Sequence, residues 1–382
     1  MIGTRPVPLA RLTLGAVVSV AALAMAAAPA RALPLYASRE GTKCASCHFD
    51  PNGGGMRNEF GFNYDKNRHS MEEETKFGSV DVDPQLNEWI RLGLDMRTVY
   101  IGEHFEGSSG LQTYSFFPMQ GNLRVAITPN EKLTVVGSHG IVVDAPGFPS
   151  PYVARELYAM VHDLPKGAFI QVGRFRVPFG LRQDDHTSFT RAPEFLPYDS
   201  QKEDAGIALG SVGKNGWFEF SYTNGEAIPT LGQAQAVAGK VAWAFPFLQG
   251  GISGYRDMGG IYDANRWSLY LTRTFRSLTL LGEYAGGTDE SPVGDINSMA
   301  AFLEANYRVS RGVNVRGKFD YLDPDRDRDR ELTRRYLIDL DLEPLPFTQV
   351  KLSYRRYHAS APIEALETPD RDEYLAQLFV PF

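Results

Sequence analysis

Ile90-Arg91-Leu92-Gly93-Leu94-Asp95-Met96-Arg97-Thr98-Val99-Tyr100-Ile101 is the stretch whose reading decides the fold. Ile90, Leu92, Leu94, Met96 and Tyr100 share one parity; Arg91, Gly93, Asp95 and Arg97 share the other. Strand side chains alternate between two faces, so this segment has one apolar face and one carrying two arginines and an aspartate. A soluble sheet does not aim such charges at its core. A membrane barrel with a wet lumen does, while its apolar face meets lipid. The pattern recurs at 313–321, with Val313, Val315, Phe319 and Tyr321 against Asn314, Arg316, Lys318 and Asp320. It recurs again at 299–309, with Met299, Leu303, Tyr307 and Val309 against Glu304, Asn306 and Arg308.

Working outward, residues 87–382 divide into about sixteen such segments. They are expected at 88–101, 115–127, 132–143, 152–162, 168–177, 203–212, 217–223, 236–245, 250–256, 265–274, 278–285, 297–309, 313–321, 333–342, 348–357 and 373–382. Fourteen or eighteen are the neighbouring counts. The connections alternate between short and long: 128–131, 163–167, 213–216, 246–249, 275–277, 310–312 and 343–347 are short, and 102–114, 224–235, 286–296, 322–332 and 358–372 are longer. Barrels of the outer membrane have tight periplasmic turns and long extracellular loops. No apolar run after residue 32 is long enough for a spanning helix. The expected fold is therefore all-β, a transmembrane antiparallel barrel of about sixteen strands behind a short N-terminal segment. Tyr374, Ala376, Leu378, Val380 and Phe382 alternate to the end of the sequence, which resembles the signal read by barrel-assembly machinery. Residues 178–202 form the longest connection, and a long loop in a compact fold is usually functional.

Residues 1–32 read as a secretory signal: Arg5 and Arg11 are basic, Leu12 to Ala28 is apolar, and Ala30-Arg31-Ala32 is a cleavage-type triplet. Taking its three arginines from the 39 basic residues leaves 36 against 46 acids, a net charge of −10. That argues against a nucleic-acid partner, whose footprint is a basic face.

Between signal and barrel, residues 33–86 hold the only two cysteines, in Cys44-Ala45-Ser46-Cys47-His48. C-x-x-C-H is the spacing of c-type haem attachment, two thioethers and an adjacent axial imidazole. A disulfide between the pair would close a small strained loop, and zinc would need more ligands than are near. One covalent haem c is thus expected, with Cys44, Cys47 and His48 as its cofactor-binding residues. Met56, His69 and Met71 are the nearby candidates for the iron's other face, because Met/His and His/His pairs both occur; a five-coordinate haem and a ligand from the C-terminal part are the alternatives. About fifty residues are too few to bury a core unaided, so shielding must come from the rest of the chain, as a plug or at the periplasmic mouth. Gly53-Gly54-Gly55 allows a tight wrap or a mobile turn.

Two resemblances follow from these residues. Val172-Gly173-Arg174-Phe175-Arg176-Val177-Pro178-Phe179-Gly180-Leu181 resembles the strand-and-loop signature of phosphate-selective porins. The whole arrangement, together with Leu33-Pro34-Leu35-Tyr36-Ala37-Ser38 and Thr42-Lys43-Cys44, resembles the fused monohaem cytochrome–porin family of outer membranes. Gly53–Gly55 and Asn58-Glu59-Phe60-Gly61 depart from its iron-oxidising members. The resemblance implies a Gram-negative outer-membrane electron conduit. Its donor would be extracellular, Fe(II) or another reductant, and its acceptor a periplasmic c-type cytochrome or other soluble carrier. It would then be an iron:cytochrome c oxidoreductase set in outer-membrane lipid. Asp184, Asp185 and His186 are the residues expected at an Fe(II) entry on an extracellular loop, with Glu103 nearby. Pro324 to Glu331 reads as a self-neutralising solvated loop. The alternatives are a passive anion or solute porin with a haem-bearing plug, or electron flow outward to extracellular metal; Arg91, Arg97, Arg124, Arg316 and Lys318 fit an anion channel, as they fit any porin.

Overall fold

The computed structural model describes residues 35–71, 83–106, 112–140, 154–185, 187–191, 195, 203–225, 235–245, 248–258, 263–290, 294–328, 331–359 and 370–382. The expected signal at 1–32 and the end of the linker near 72–82 lie outside them, as does His186.

Sixteen antiparallel strands close into one barrel, each paired with its sequence neighbours and β1 with β16. In order they are β1 (Ile90–Phe105), β2 (Gln112–Asn130), β3 (Leu133–Gly140), β4 (Ala154–Leu164), β5 (Ala168–Phe175), β6 (Asp204–Val212), β7 (Gly216–Thr223) and β8 (Gln235–Phe245). They continue with β9 (Leu248–Met258), β10 (Asp263–Phe275), β11 (Leu278–Glu290), β12 (Ile296–Ser310), β13 (Val313–Asp323), β14 (Thr333–Leu345), β15 (Thr348–Ala359) and β16 (Arg371–Pro381). All sixteen expected segments are present. Most bounds move by a few residues; β3 ends at Gly140, and 141–143 lie outside the described residues.

Closure removes sheet edges, which is the condition for strands to cross lipid. The parity read from sequence is the observed one. Leu94, Met96, Leu303, Tyr307 and Ile338 face outward and are exposed, while Arg91, Arg97, Glu304, Asn306, Arg316, Lys318 and Asp320 face a filled interior and are buried. Among the described residues no helix is long and apolar enough to cross a membrane; the apolar outer wall of the strands does so. A bulge interrupts the β3–β4 register between Gly137 and His139, and His139 points outward at the strand's end. His162 lies beside the turn after β4, bonded to Thr134 at 2.9 Å and to Asp163 at 2.8 Å.

The segment before the barrel is a plug inside its tight-turn end. A helix at Leu35–Glu40 places Tyr36 on Glu343 of β14 (2.7 Å), and Arg39 on Asn314 of β13 (2.9 Å). A second helix, Glu59–Arg68, carries Phe62 onto Phe347 and Phe382, with centroids at 4.8 and 5.9 Å. Arg311 in the turn before β13 donates to Ser70 O and Asn67 O. Barrel residues thus pack against both helices of this small segment.

The connection after β5 also turns inward. Phe179, Phe189 and Phe195 pack in the lumen against Tyr255 and Tyr357. Arg191 is anchored on Glu283 of β11 at 3.0 Å. This corrects the placement of Asp184 and Asp185 on an extracellular loop: both hang inside the barrel. Glu103 is likewise on β1 rather than in a loop, accepting from Thr113 at 3.1 Å. Asp325, Arg328 and Glu331 pair with one another at 3.0 and 3.6 Å, as expected for a self-neutralising string.

Candidate functional site: a cavity between plug, loop and wall

The Cys44–Cys47–His48 motif is built by short-range hydrogen bonds. Cys44–Ser46 is one turn of 3-10 helix, with Cys47 N and His48 N both donating to Cys44 O at 3.0 Å. The chain then doubles back as a small hairpin, His48 bridging Arg57 and Phe49 N donating to Met56 O. Its turn is the glycine run. Gly53, Gly54 and Gly55 have φ of 85°, 69° and 64°, a region costly for residues with a Cβ. A Cβ on Gly53 would also sit 3.1 Å from Cys44 Sγ, and one on Gly55 2.7 Å from Glu156. The run is a tight wrap, not a loose turn. Asn58 closes the unit, capping the second helix through Gly61 N at 3.0 Å and donating to Ser46 O at 3.1 Å.

Cys47, His48, the three glycines and His69 all line one cavity of about 320 Å³, shared with Asp95, Arg97, Arg124, Arg182 and Phe379. Cys44 is buried immediately behind it. Burial pushes the Cys44 thiol up to about 12, and raises Cys47 as well. Burial, then Arg57, Arg182 and Arg124, pull His48 down to about 3. At neutral pH His48 is therefore the neutral imidazole that binds metals.

The cavity walls are charged and paired. Arg124 of β2 bonds Asp95 at 2.7 Å and Glu156 of β4 at 2.5 Å. Glu156 lies 3.6 Å from Arg182 of the inward loop, and Arg182 reaches Asp50 of the plug at 2.9 Å. Arg97 holds both oxygens of Asp184 at 2.8 Å. Asp185 takes Lys318 at 2.8 Å and lies 3.7 Å from Arg335. Burial works against its charge, yet these cations hold the Asp185 carboxyl well below the usual carboxylate range. Both carboxylates thus anchor the loop. Among the described residues no three His, Cys, Asp or Glu side chains converge to hold a metal ion.

The candidates for a second axial ligand separate clearly. His69 lines the cavity. Met56 does not: it is buried in a wall cluster with Val136, Tyr158 and Phe175, its sulfur against Gly93 of β1. Met71 is exposed, at the turn around Gly312. A c-type haem fits this donor set: two cysteines and a neutral histidine at attachment spacing, a glycine cradle that a Cβ would fill, and two buried ring nitrogens, His48 Nδ1 and His69 Nε2, without hydrogen-bond partners. Sequence reasoning did not find Glu156, Arg182 as a bridge, or Glu283. Each is an isolated charge at a lumen-facing or loop position, with no motif to mark it.

No protein-family model matches the chain, and no curated protein matches its sequence. Solved structures match its fold. The anion-selective porin from Comamonas acidovorans superposes with a TM-score of 0.61 at 13% identity, over 77% of this chain and 99% of that one. OmpT of Vibrio cholerae gives 0.58 at 9% identity, over 78% and 100%. Salmonella typhi OmpF, solved with daunomycin, gives 0.55 at 11% identity, over 76% and 98%. The barrel alone would account for that share of this chain. The chain has the closed sixteen-stranded barrel fold of the outer-membrane porins.

Proposed function

We propose that the protein is an outer-membrane electron conduit, with one haem c bound by Cys44, Cys47 and His48 inside the lumen. The observation that carries this reading is the seating of C-x-x-C-H on an interior cavity of a membrane barrel, where plug and loop together fill the tight-turn end. The hydrocarbon layer is an insulator about 30 Å thick, and a redox centre within a barrel shortens the distance an electron must travel. A haem there supplies a one-electron couple. The chain's own residues hold it covalently, present a neutral imidazole to the iron, and let backbone approach closely at Gly53–Gly55. The ion-paired wall of Arg124, Glu156, Arg182 and Asp50 fixes plug to barrel. The donor is an extracellular reductant, with Fe(II) the one to test first, and the acceptor a soluble periplasmic carrier such as a c-type cytochrome.

The test is oxidation of Fe(II) by purified, haem-loaded protein, compared with Cys47→Ala and His48→Ala. Loss of the rate in both variants, with the barrel still assembled, supports the conduit; an unchanged rate overturns it.

A second reading is a passive anion porin of the outer membrane. The fold likeness by itself favours it, and Arg97, Arg124 and Arg182 on the cavity wall suit anions. A large, anion-selective single-channel conductance in the haem-loaded protein would support this reading against the first.

A further inference from the structure

We propose that His69 is the second axial ligand of the iron, giving a His48/His69 pair rather than His/Met; this rests on the haem reading above. His69 stands at the C-terminal end of the helix Glu59–Arg68. Its Nδ1 meets Asp65 Oδ1 at 3.0 Å, one helical turn earlier. Asp65 is itself buried and salt-bridged to Arg57, the residue bridged to His48 in the hairpin. The His69 ring stacks on Tyr36 with centroids 4.0 Å apart and meets the edge of Tyr64 at 4.7 Å. Orientation and tautomer are therefore fixed from one side: with the proton on Nδ1 toward a carboxylate, Nε2 keeps its lone pair. That outer-shell arrangement is the one metal-bound imidazoles use.

A histidine needed only to end the helix would be explained by the Asp65 contact alone. It would not leave Nε2 buried with no partner, since buried polar atoms are ordinarily satisfied. His69 also lines the same cavity as His48. Met56, the competing ligand, has its sulfur lodged against the β1 backbone at Gly93. Bringing it to the cavity would empty a packed wall cluster. A pair of imidazoles also sets the couple lower than a His/Met pair would, because methionine ligation raises the potential.

The test uses the full chain, matured with covalent haem and purified in detergent, by optical and electron paramagnetic resonance spectroscopy. Wild type is expected to be low-spin, without the sulfur-to-iron charge-transfer band of methionine ligation. His69→Ala should keep covalent haem on a denaturing gel, become high-spin, and return to low-spin when imidazole is added. Met56→Leu should leave the spectrum unchanged. Should His69→Ala fail to fold, His69→Met retains a ligand, and is expected to raise the midpoint potential and introduce the thioether band. A low-spin His69→Ala without imidazole, or a high-spin Met56→Leu, overturns the assignment. Covalent haem that is high-spin in wild type also overturns it, while leaving the haem reading standing; wild type with no covalent haem overturns both.

Discussion

Asp50, in the turn of the plug, and Arg182, in the inward loop after β5, meet at 2.9 Å inside the barrel. This one ion pair joins the two pieces of chain that fill the lumen, and Glu156 of β4 backs the same guanidinium at 3.6 Å. Removing one partner of a buried pair costs at most about 3–5 kcal/mol, and less here because Glu156 still faces the Arg182 charge. Asp50→Asn is therefore expected to loosen plug from loop without unfolding the barrel. Single-channel conductance in planar bilayers should rise, and residues 35–71 should become accessible to protease. Conductance equal to wild type would show that the pair does not hold the plug.

Gly61 makes the closest approach in the plug. A Cβ there would lie 2.1 Å from the carbonyl oxygen of Cys47, so neither backbone can yield without separating the second helix from the Cys44–Cys47–His48 motif. On the proposed haem reading, Gly61→Ala is expected to abolish covalent haem attachment while a heat-modifiable barrel still forms. The paired measurement is haem staining and electrophoretic mobility of unboiled protein.

Acid should release the inward loop. The Asp185 carboxyl is held well below the usual range by Lys318 and Arg335, against the effect of burial. A depressed carboxylate contributes stability above its unfolded value, near 3.9, and loses it as pH falls through the folded value. Conductance should therefore be flat from neutral pH down to about 4 and rise below it. Asp185→Asn should show the raised conductance at neutral pH and little further change on acidification.

The outer wall carries its own test. Leu303 on β12 is 62% exposed and shares its face with Tyr307. An arginine there would face hydrocarbon, at a cost of about 2–4 kcal/mol near the bilayer midplane. Leu303→Arg is expected to lower the free energy of folding into lipid vesicles by that order, as read by urea titration. Leu303→Ile should be close to neutral.

Strand number, order and facing were legible because they depend on local alternation. Ile90 to Ile101 and Val313 to Tyr321 show their two faces in the chain itself, and the alternation of loop lengths orders the hairpins. The charges of Arg97, Arg124, Arg316 and Lys318 were legible as lumen-facing for the same reason. Their partners were not. Arg97 meets Asp184 and Lys318 meets Asp185 across the lumen, between elements far apart in sequence, and no period links such residues. The extracellular placement of Asp184 and Asp185 failed for that reason: a loop's composition says it is polar, not which way it folds.

The sequence by itself determined an antiparallel barrel of about sixteen strands and singled out Cys44, Cys47 and His48 as one chemical unit, because both are written in short repeats and fixed spacings; the structure fixed the count at sixteen. Only the tertiary structure decided that the unit lies inside the lumen, that Met56 is wall packing, and that His69 shares a cavity with His48. Those relations come from barrel closure, which brings plug, inward loop and strands from both ends of the sequence into one enclosed volume. Burial and ion pairing there select positions that no local pattern encodes.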